Sequence, residues 1–226
     1  MKCVLLLIGS SLLLVNTVYA QVGLRAGANL AHLLTTTPSY YLEADSRANV
    51  GYQVGIYYQV RLGKRLALLP EVQFSRERTH LTTRDNNFTI PEYFGRTDSH
   101  LSLSYLTMPV LLRATLGPVY VEVGPQASVL VGGRESGTAT ISVFDAPFRS
   151  TAITRSATDN LQRFDVGPCA GIGVKLPAGL GLSVRAYQGL VSLARQDDPQ
   201  QAYPYNSRLR RQSLQASLTY QLAARQ

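Results

Sequence analysis

From Gln21 onward the chain alternates apolar and polar side chains with a period of two, the pattern of β-strands that present one apolar face. Between residues 49 and 62, for example, Val50, Tyr52 and Val54 alternate with Gly51 and Gln53. The same alternation predicts eight strands, at 21–31, 49–62, 66–75, 101–113, 119–124, 164–175, 180–187 and 213–222.

The links between these strands alternate strictly between short and long. Gly63-Lys64, Gly117-Pro118 and Pro177-Ala178-Gly179 are tight-turn sequences. The long polar links lie at 32–48, 81–98, 134–160 and 196–208. Short periplasmic turns and long outer loops are typical of outer-membrane barrels. The pattern therefore predicts an all-β fold: a closed, eight-stranded, antiparallel up-and-down transmembrane β-barrel.

The first twenty residues predict a cleaved signal peptide. Lys2 precedes an apolar run, Val4 to Val15, and Val18-Tyr19-Ala20 fits a cleavage site. We expect a signal peptide at 1–20, a barrel domain at 21–226 and localisation in the cell outer membrane. A buried N-terminal helix is the alternative. No later segment has about 18 uninterrupted apolar residues, so only a closed barrel could span a bilayer.

The net charge and the cysteine content limit the partners and cofactors that we expect. The chain carries a formal charge of +8, which suits nucleic acid or an anionic membrane surface. Export makes a nucleic-acid partner unexpected. Cleavage would leave Cys169 as a single cysteine, without a disulfide partner or metal-type spacing. We expect no cofactor and no metal.

If the aliphatic positions face lipid, the alternate positions face the lumen. The charged residues there are expected to form a structural ion-pair network, because an unpaired buried charge is costly; a permeation path is the functional alternative. Tyr52, Tyr58, Tyr105, Tyr120 and Tyr220 are candidates for interfacial girdles. The lumen set comprises Arg25, Glu71, Arg113, Glu122, Asp165, Lys175 and Arg185.

A family resemblance is carried by six segments of the sequence: Val22–Ala31, Gly51–Tyr57, Leu68–Ser75, Tyr105–Leu112, Gly117–Gln126 and Gly179–Arg185. Together they resemble the PorT-type outer-membrane β-barrel family of Bacteroidetes-like bacteria. The resemblance implies an eight-stranded outer-membrane barrel without a defined activity. The chain departs from such barrels near its end, where Leu222 stands in place of the usual terminal aromatic residue.

Candidate chemistry is sparse. His32, His80 and His100 lie at predicted strand ends or loops, and His80 and His100 are expected to approach each other near Asp98. A hydrolase needs a base, an orienting carboxylate and a nucleophile within hydrogen-bond reach. The sequence supplies these types without a fixed spacing, so a rim-site hydrolase is the rival hypothesis and no catalytic residue is assigned.

Arginines are concentrated in the predicted loops. Guanidinium groups pair well with phosphates, so lipopolysaccharide and other outer-membrane lipids are the expected partners, with other envelope proteins as further ones. The preferred interpretation is a non-enzymatic structural or interaction barrel. The alternatives are the hydrolase, a narrow channel and a soluble periplasmic barrel that binds an apolar ligand. The candidate lipid-phosphate contacts are Arg84, Arg96, Arg134, Arg149, Arg155 and Arg208, and the same loops hold Arg47, Arg210 and Arg211.

Overall fold

A computed structural model describes residues 20–35, 42–85, 93–143, 149–158, 161–193 and 209–222. These residues form nine antiparallel strands. Within this part of the chain there is no helix long and apolar enough to cross a membrane. The strands are β1 (Ala20–Thr35), β2 (Leu42–Arg61), β3 (Leu66–Asp85), β4 (Tyr93–Leu116), β5 (Val119–Val143), β6 (Arg149–Ser156), β7 (Phe164–Lys175), β8 (Leu180–Gln188) and β9 (Leu209–Gln221).

Eight of the strands pair in a ring. Strands β1 to β5 pair in chain order, and β5 then pairs with β7, β7 with β8, and β8 with β9. The ring is completed by β9, which pairs with β1 from Gly23↔Gln221 to Thr35↔Leu209. The predicted eight-stranded antiparallel order is confirmed. The ninth strand, β6, stands outside the ring and pairs with residues 134–141 of β5.

The side-chain alternation places aliphatic residues on the outside of the ring and polar residues inside. Outward aliphatic side chains such as Leu106 and Ile56 are 38% and 58% exposed, whereas inward residues such as Gln53 and Ser128 are almost completely buried. We call this outward surface the apolar belt. Its residues include Leu24, Val54, Ile56, Val72, Leu106, Val110, Val121, Ile172, Val184 and Leu218.

The three predicted tight turns lie at one end of the ring, between β2 and β3, β4 and β5, and β7 and β8. We call this the turn end and the opposite end the loop end. At the loop end, three of the predicted long links were wrong in extent, because strands β1 to β6 run far into 32–48, 81–98 and 134–160. Segments such as residues 96–100 of β4 are polar on both faces, so they carry no hydrophobic period that would predict a strand. The fourth link, 196–208, lies outside the described residues.

Two β-bulges mark where the apolar belt ends. The register of β2 on β3 shifts between Asn49 and Tyr52, and that of β4 on β5 shifts between Ser104 and Tyr105. A bulge inserts one residue and reverses the facing of all later side chains in that strand. In β5 the buried inward positions accordingly change from even numbers, up to Leu130, to the odd-numbered Glu135.

Candidate functional site: a filled interior and an arginine-bearing outer surface

Three arginines and two glutamates meet inside the ring, nearer its turn end. Glu122 of β5 accepts hydrogen bonds from Arg113 Nε at 2.8 Å and from Arg185 Nε at 2.7 Å. Glu71 of β3 accepts from Arg185 Nη1 at 2.8 Å, and its other oxygen lies 3.2 Å from Arg25 Nε. We call Arg25, Glu71, Arg113, Glu122 and Arg185 the turn-side cluster.

Two tyrosine rings pack against the turn-side cluster. The Arg113 guanidinium carbon lies 4.1 Å from the centre of the Tyr120 ring and 5.7 Å from that of Tyr57. Each ring occupies space above a glycine, because a Cβ at Gly23 would overlap Tyr57 and one at Gly173 would overlap Tyr120. Glycine is therefore required at both positions to let the rings reach the arginines.

A second ionic group lies closer to the loop end. Arg211 of β9 forms a bidentate pair with Glu77 of β3, with distances of 2.9 and 2.8 Å, and its Nη1 lies 3.5 Å from Asp165. Tyr187 donates to Asp165 at 2.8 Å. The Arg211 guanidinium also covers the Tyr105 ring at 4.1 Å. We call Glu77, Asp165, Arg211, Tyr105 and Tyr187 the loop-side cluster.

Above the loop-side cluster, the mouth of the ring is closed by an apolar plug. The strands contribute inward leucines, and the segments after β6 and β8 fold inward to meet them. Gln162 N donates to Leu193 O at 2.8 Å, which joins these two segments. The plug consists of Leu33, Leu101, Leu103, Leu130, Ala157, Leu161 and Leu193, with Tyr105 beneath it.

The predicted lumen set is divided by the structure. Five of its seven residues form the turn-side cluster. Asp165 instead belongs to the loop-side cluster. Lys175 is exposed at the turn end, where its Nζ donates to Thr115 Oγ1 at 3.3 Å. Since Lys175 is the last residue of β7, its long side chain reaches solvent and the prediction that it joins the network was wrong.

Sequence reasoning missed Glu77 and misplaced Arg211. Both are at least 97% buried and bonded to each other, so Arg211 does not lie in an outer loop. The alternation of side chains could have identified both residues. Glu77 is an odd-numbered position of β3, like the inward Glu71 and Gln73, and Arg211 is an odd-numbered position of β9, like the inward Ser213.

Two of the candidate girdle tyrosines, Tyr105 and Tyr120, are buried inside the ring, whereas Tyr52, Tyr58 and Tyr220 are exposed outside it.

The candidate lipid-phosphate residues fall into different surroundings. Arg134 is exposed on the outward face of β5. Arg96 lies 3.5 Å from Asp98, and Arg155 donates to the buried Glu135 at 2.7 Å. Arg149 is exposed at the start of β6. The Arg84 side chain and all of Arg208 lie outside the described residues.

The histidines do not assemble a catalytic triad among the described residues. His80 and His100 stack with their ring centres 4.5 Å apart, as expected, and His80 Nε2 hydrogen-bonds Asp98 Oδ1. That hydrogen bond lowers the pKa of Asp98, which lies on the exposed outer part of β4. Elsewhere Ser46 Oγ lies 3.2 Å from His32 Nδ1, but its hydroxyl also bonds Leu33 O at 2.9 Å.

A family model described as an outer membrane protein beta-barrel domain matches residues 16–195. The match covers most of the chain and agrees with the ring of antiparallel strands. The chain belongs to the outer membrane protein β-barrel domain family. It is therefore an outer-membrane β-barrel protein, and the predicted location in the outer membrane is confirmed at this level.

Three outer-membrane proteins of known structure are similar to this chain. Neisserial surface protein A shares 14% identity over 90% of this chain and 99% of its own, with a TM-score of 0.45. OprG from Pseudomonas aeruginosa shares 9% identity over 92% of this chain and 99% of its own, with a TM-score of 0.44. Ail of Yersinia pestis shares 9% identity over 90% of this chain and 99% of its own, with a TM-score of 0.42. No curated protein matches the chain.

Proposed function

We propose that this protein is a closed, non-enzymatic barrel of the outer membrane, with a filled interior and a loop-end surface that contacts envelope lipids. The observation that carries the proposal is the contrast between the two surfaces of the ring. Outward side chains are apolar and exposed, whereas the charged inward ones are buried and paired. This arrangement suits a scaffold anchored in lipid.

The proposed orientation places the turn end in the periplasm and the loop end outside the cell. Outer-membrane barrels have short periplasmic turns and longer outer connections. The proposal includes the signal peptide at 1–20, which directs export, and the finer assignment to the PorT-type group, supported by segments such as Tyr105–Leu112.

The filled interior argues against a channel role. A water-filled lumen would leave its lining accessible, yet Leu69, Leu111 and Cys169 are 0% exposed near the turn end. Eight-stranded barrels have interiors just wide enough for side chains to fill. Towards the loop end, the buried leucines of the apolar plug add a second packed layer across the interior.

Planar-bilayer recording tests the interior. We expect the refolded full chain to show no stepwise conductance above that of the bilayer, while a general porin recorded in parallel does. Stable, ion-selective steps from the purified barrel would contradict the proposal and favour the channel alternative. Resistance to unfolding in cold detergent, seen as heat-modifiable gel mobility, confirms that the recorded protein is folded.

A further inference from the structure

Three arginines lie on the outward face of the sheet, immediately above the apolar belt. Across the strands, Arg76 of β3 is opposite Ser104 of β4, and Arg78 is opposite Ser102. Ser102 is in turn opposite Arg134 of β5. Arg78 and Arg134 therefore flank one serine on neighbouring strands. Because strands are spaced by about 4.8 Å, these two backbones are about 10 Å apart.

The distance of Arg76 and Arg78 from the apolar belt follows from their positions along β3. Phe74 of β3, opposite Leu106, belongs to the last apolar row. Arg76 and Arg78 follow two and four residues later, about 7 and 13 Å further along the strand. Long arginine side chains can then reach the level at which lipid headgroups begin, while their stems cover the end of the belt.

The described residues supply no carboxylate partner for this trio. Arg78 and Arg134 are exposed, and Arg76 Nε is buried without a hydrogen-bond acceptor. Asp98, an acid on the outer part of β4, is already engaged by His80 and Arg96. Like charges on adjacent positions of a sheet repel, so an anion bound between them would be favourable.

We infer that Arg76, Arg78 and Arg134 form a binding site for the phosphate of an outer-leaflet glycolipid. This inference rests on the proposed function and names the residues through which the barrel holds lipid. Guanidinium groups bind phosphate oxygens in bidentate geometry, and Ser102 lies between two of them as a further hydroxyl donor. The site faces sideways into the membrane plane, directly above the belt, which favours a lipid phosphate over a soluble one.

The test compares two double variants of the full-length barrel with equal loss of charge. R78Q/R134Q removes the two exposed arginines of the site. K64Q/R65Q removes two exposed cations from the β2–β3 turn at the opposite end. Binding is measured in mixed micelles that contain either phosphorylated lipid A or the same lipid without its phosphates. Heat-modifiable mobility verifies that each variant is folded, and R78K/R134K tests whether charge alone suffices.

We expect the unmodified barrel and K64Q/R65Q to prefer the phosphorylated lipid by at least about tenfold, equivalent to about 1.4 kcal/mol. R78Q/R134Q should lose most of that preference, and R78K/R134K should retain part of it because lysine lacks the planar fork. If R78Q/R134Q keeps the full preference, the site is overturned while the lipid-contacting function stands. If the unmodified barrel binds both lipids equally, the phosphate site is overturned and the lipid-contacting function stands. If it binds neither lipid, both are overturned.

Discussion

The turn-side and loop-side clusters hold the same kinds of groups in opposite proportions. Near the turn end, three arginines share Glu71 and Glu122, whereas near the loop end Arg211 alone serves Glu77 and Asp165. With every group ionised, the first cluster has an excess positive charge and the second an excess negative charge. The two clusters are thus neutral together, although neither cluster is neutral by itself.

This difference determines what remains when one partner is lost. An arginine left without a partner cannot lose its proton in a protein, so its charge stays buried. A carboxylate left without a partner can take up a proton and become neutral. Loss of an acid from the turn-side cluster should therefore cost more than loss of the arginine from the loop-side cluster.

The largest effect is expected for E122Q. Glu122 bonds Arg113 and Arg185, and its Oε1 lies 3.9 Å from Arg25. Neutralising it leaves three arginines with Glu71 alone, and we expect the free energy of unfolding to fall by about 3–5 kcal/mol. Denaturant unfolding in detergent measures this.

E71Q is the graded comparison for E122Q. Glu71 contacts two arginines, Arg25 and Arg185, so its neutralisation should cost less than that of Glu122. Equal losses for E122Q and E71Q, or a loss below about 1 kcal/mol for E122Q, would contradict the view that Glu122 is the shared centre of the cluster.

An intermediate effect is expected for R211M. Removing Arg211 leaves Glu77 and Asp165 buried without their cation, at a cost of about 2–3 kcal/mol near neutral pH. The folded variant would then bind protons more readily than the unfolded chain, so its deficit should shrink as the pH falls from about 8 to about 5. Unfolding midpoints across this range measure the change.

The variant R211M/E77Q/D165N provides the matched control. It removes all three charges, and replacement of every partner leaves no buried ion to solvate. We expect it to recover much of the stability lost in R211M and to lose the pH dependence. A triple variant as unstable and as pH-sensitive as R211M would show that the deficit arises from packing instead of charge.

Much of this contrast could be predicted from the sequence, because alternate residues along a strand point to the same side of the sheet. That rule placed Arg25, Glu71, Arg113, Glu122 and Arg185 inside together. The rule could not predict how far along the barrel axis each inward residue lies. That position depends on the register between neighbouring strands, which the sequence of one strand does not determine. Asp165 was therefore grouped with residues of the other cluster.

The loop end was less predictable for a different physical reason. Strands β3 to β5 extend past the belt into segments such as residues 96–100, which are polar on both faces, so the hydrophobic period disappears there although backbone pairing continues. The bulge opposite Ser104 and Tyr105 also reverses the facing of the outer half of β5. Arg76 and Arg78, which follow the last outward apolar residue of β3, were not identified as surface candidates.

The smallest effect on stability is expected for the solvent-exposed interactions of Asp98. Asp98 bonds His80 and lies 3.5 Å from Arg96, with its side chain 40% exposed. The hydrogen bond from His80 lowers the pKa of Asp98, so the folded state holds the carboxylate more strongly than the unfolded chain does. Its stabilisation is present above the unfolded pKa and is lost as the pH falls through the folded pKa.

Because solvent screens this pair, D98N should change the free energy of unfolding by less than about 1 kcal/mol at neutral pH. The difference between D98N and the unmodified barrel should vanish in acid, below the pKa of Asp98 in the folded state. Raised salt should also reduce the difference, whereas the penalty of E122Q should change little, since buried pairs are poorly screened. A D98N penalty as large and as salt-independent as that of E122Q would remove the distinction between buried and exposed pairing in this barrel.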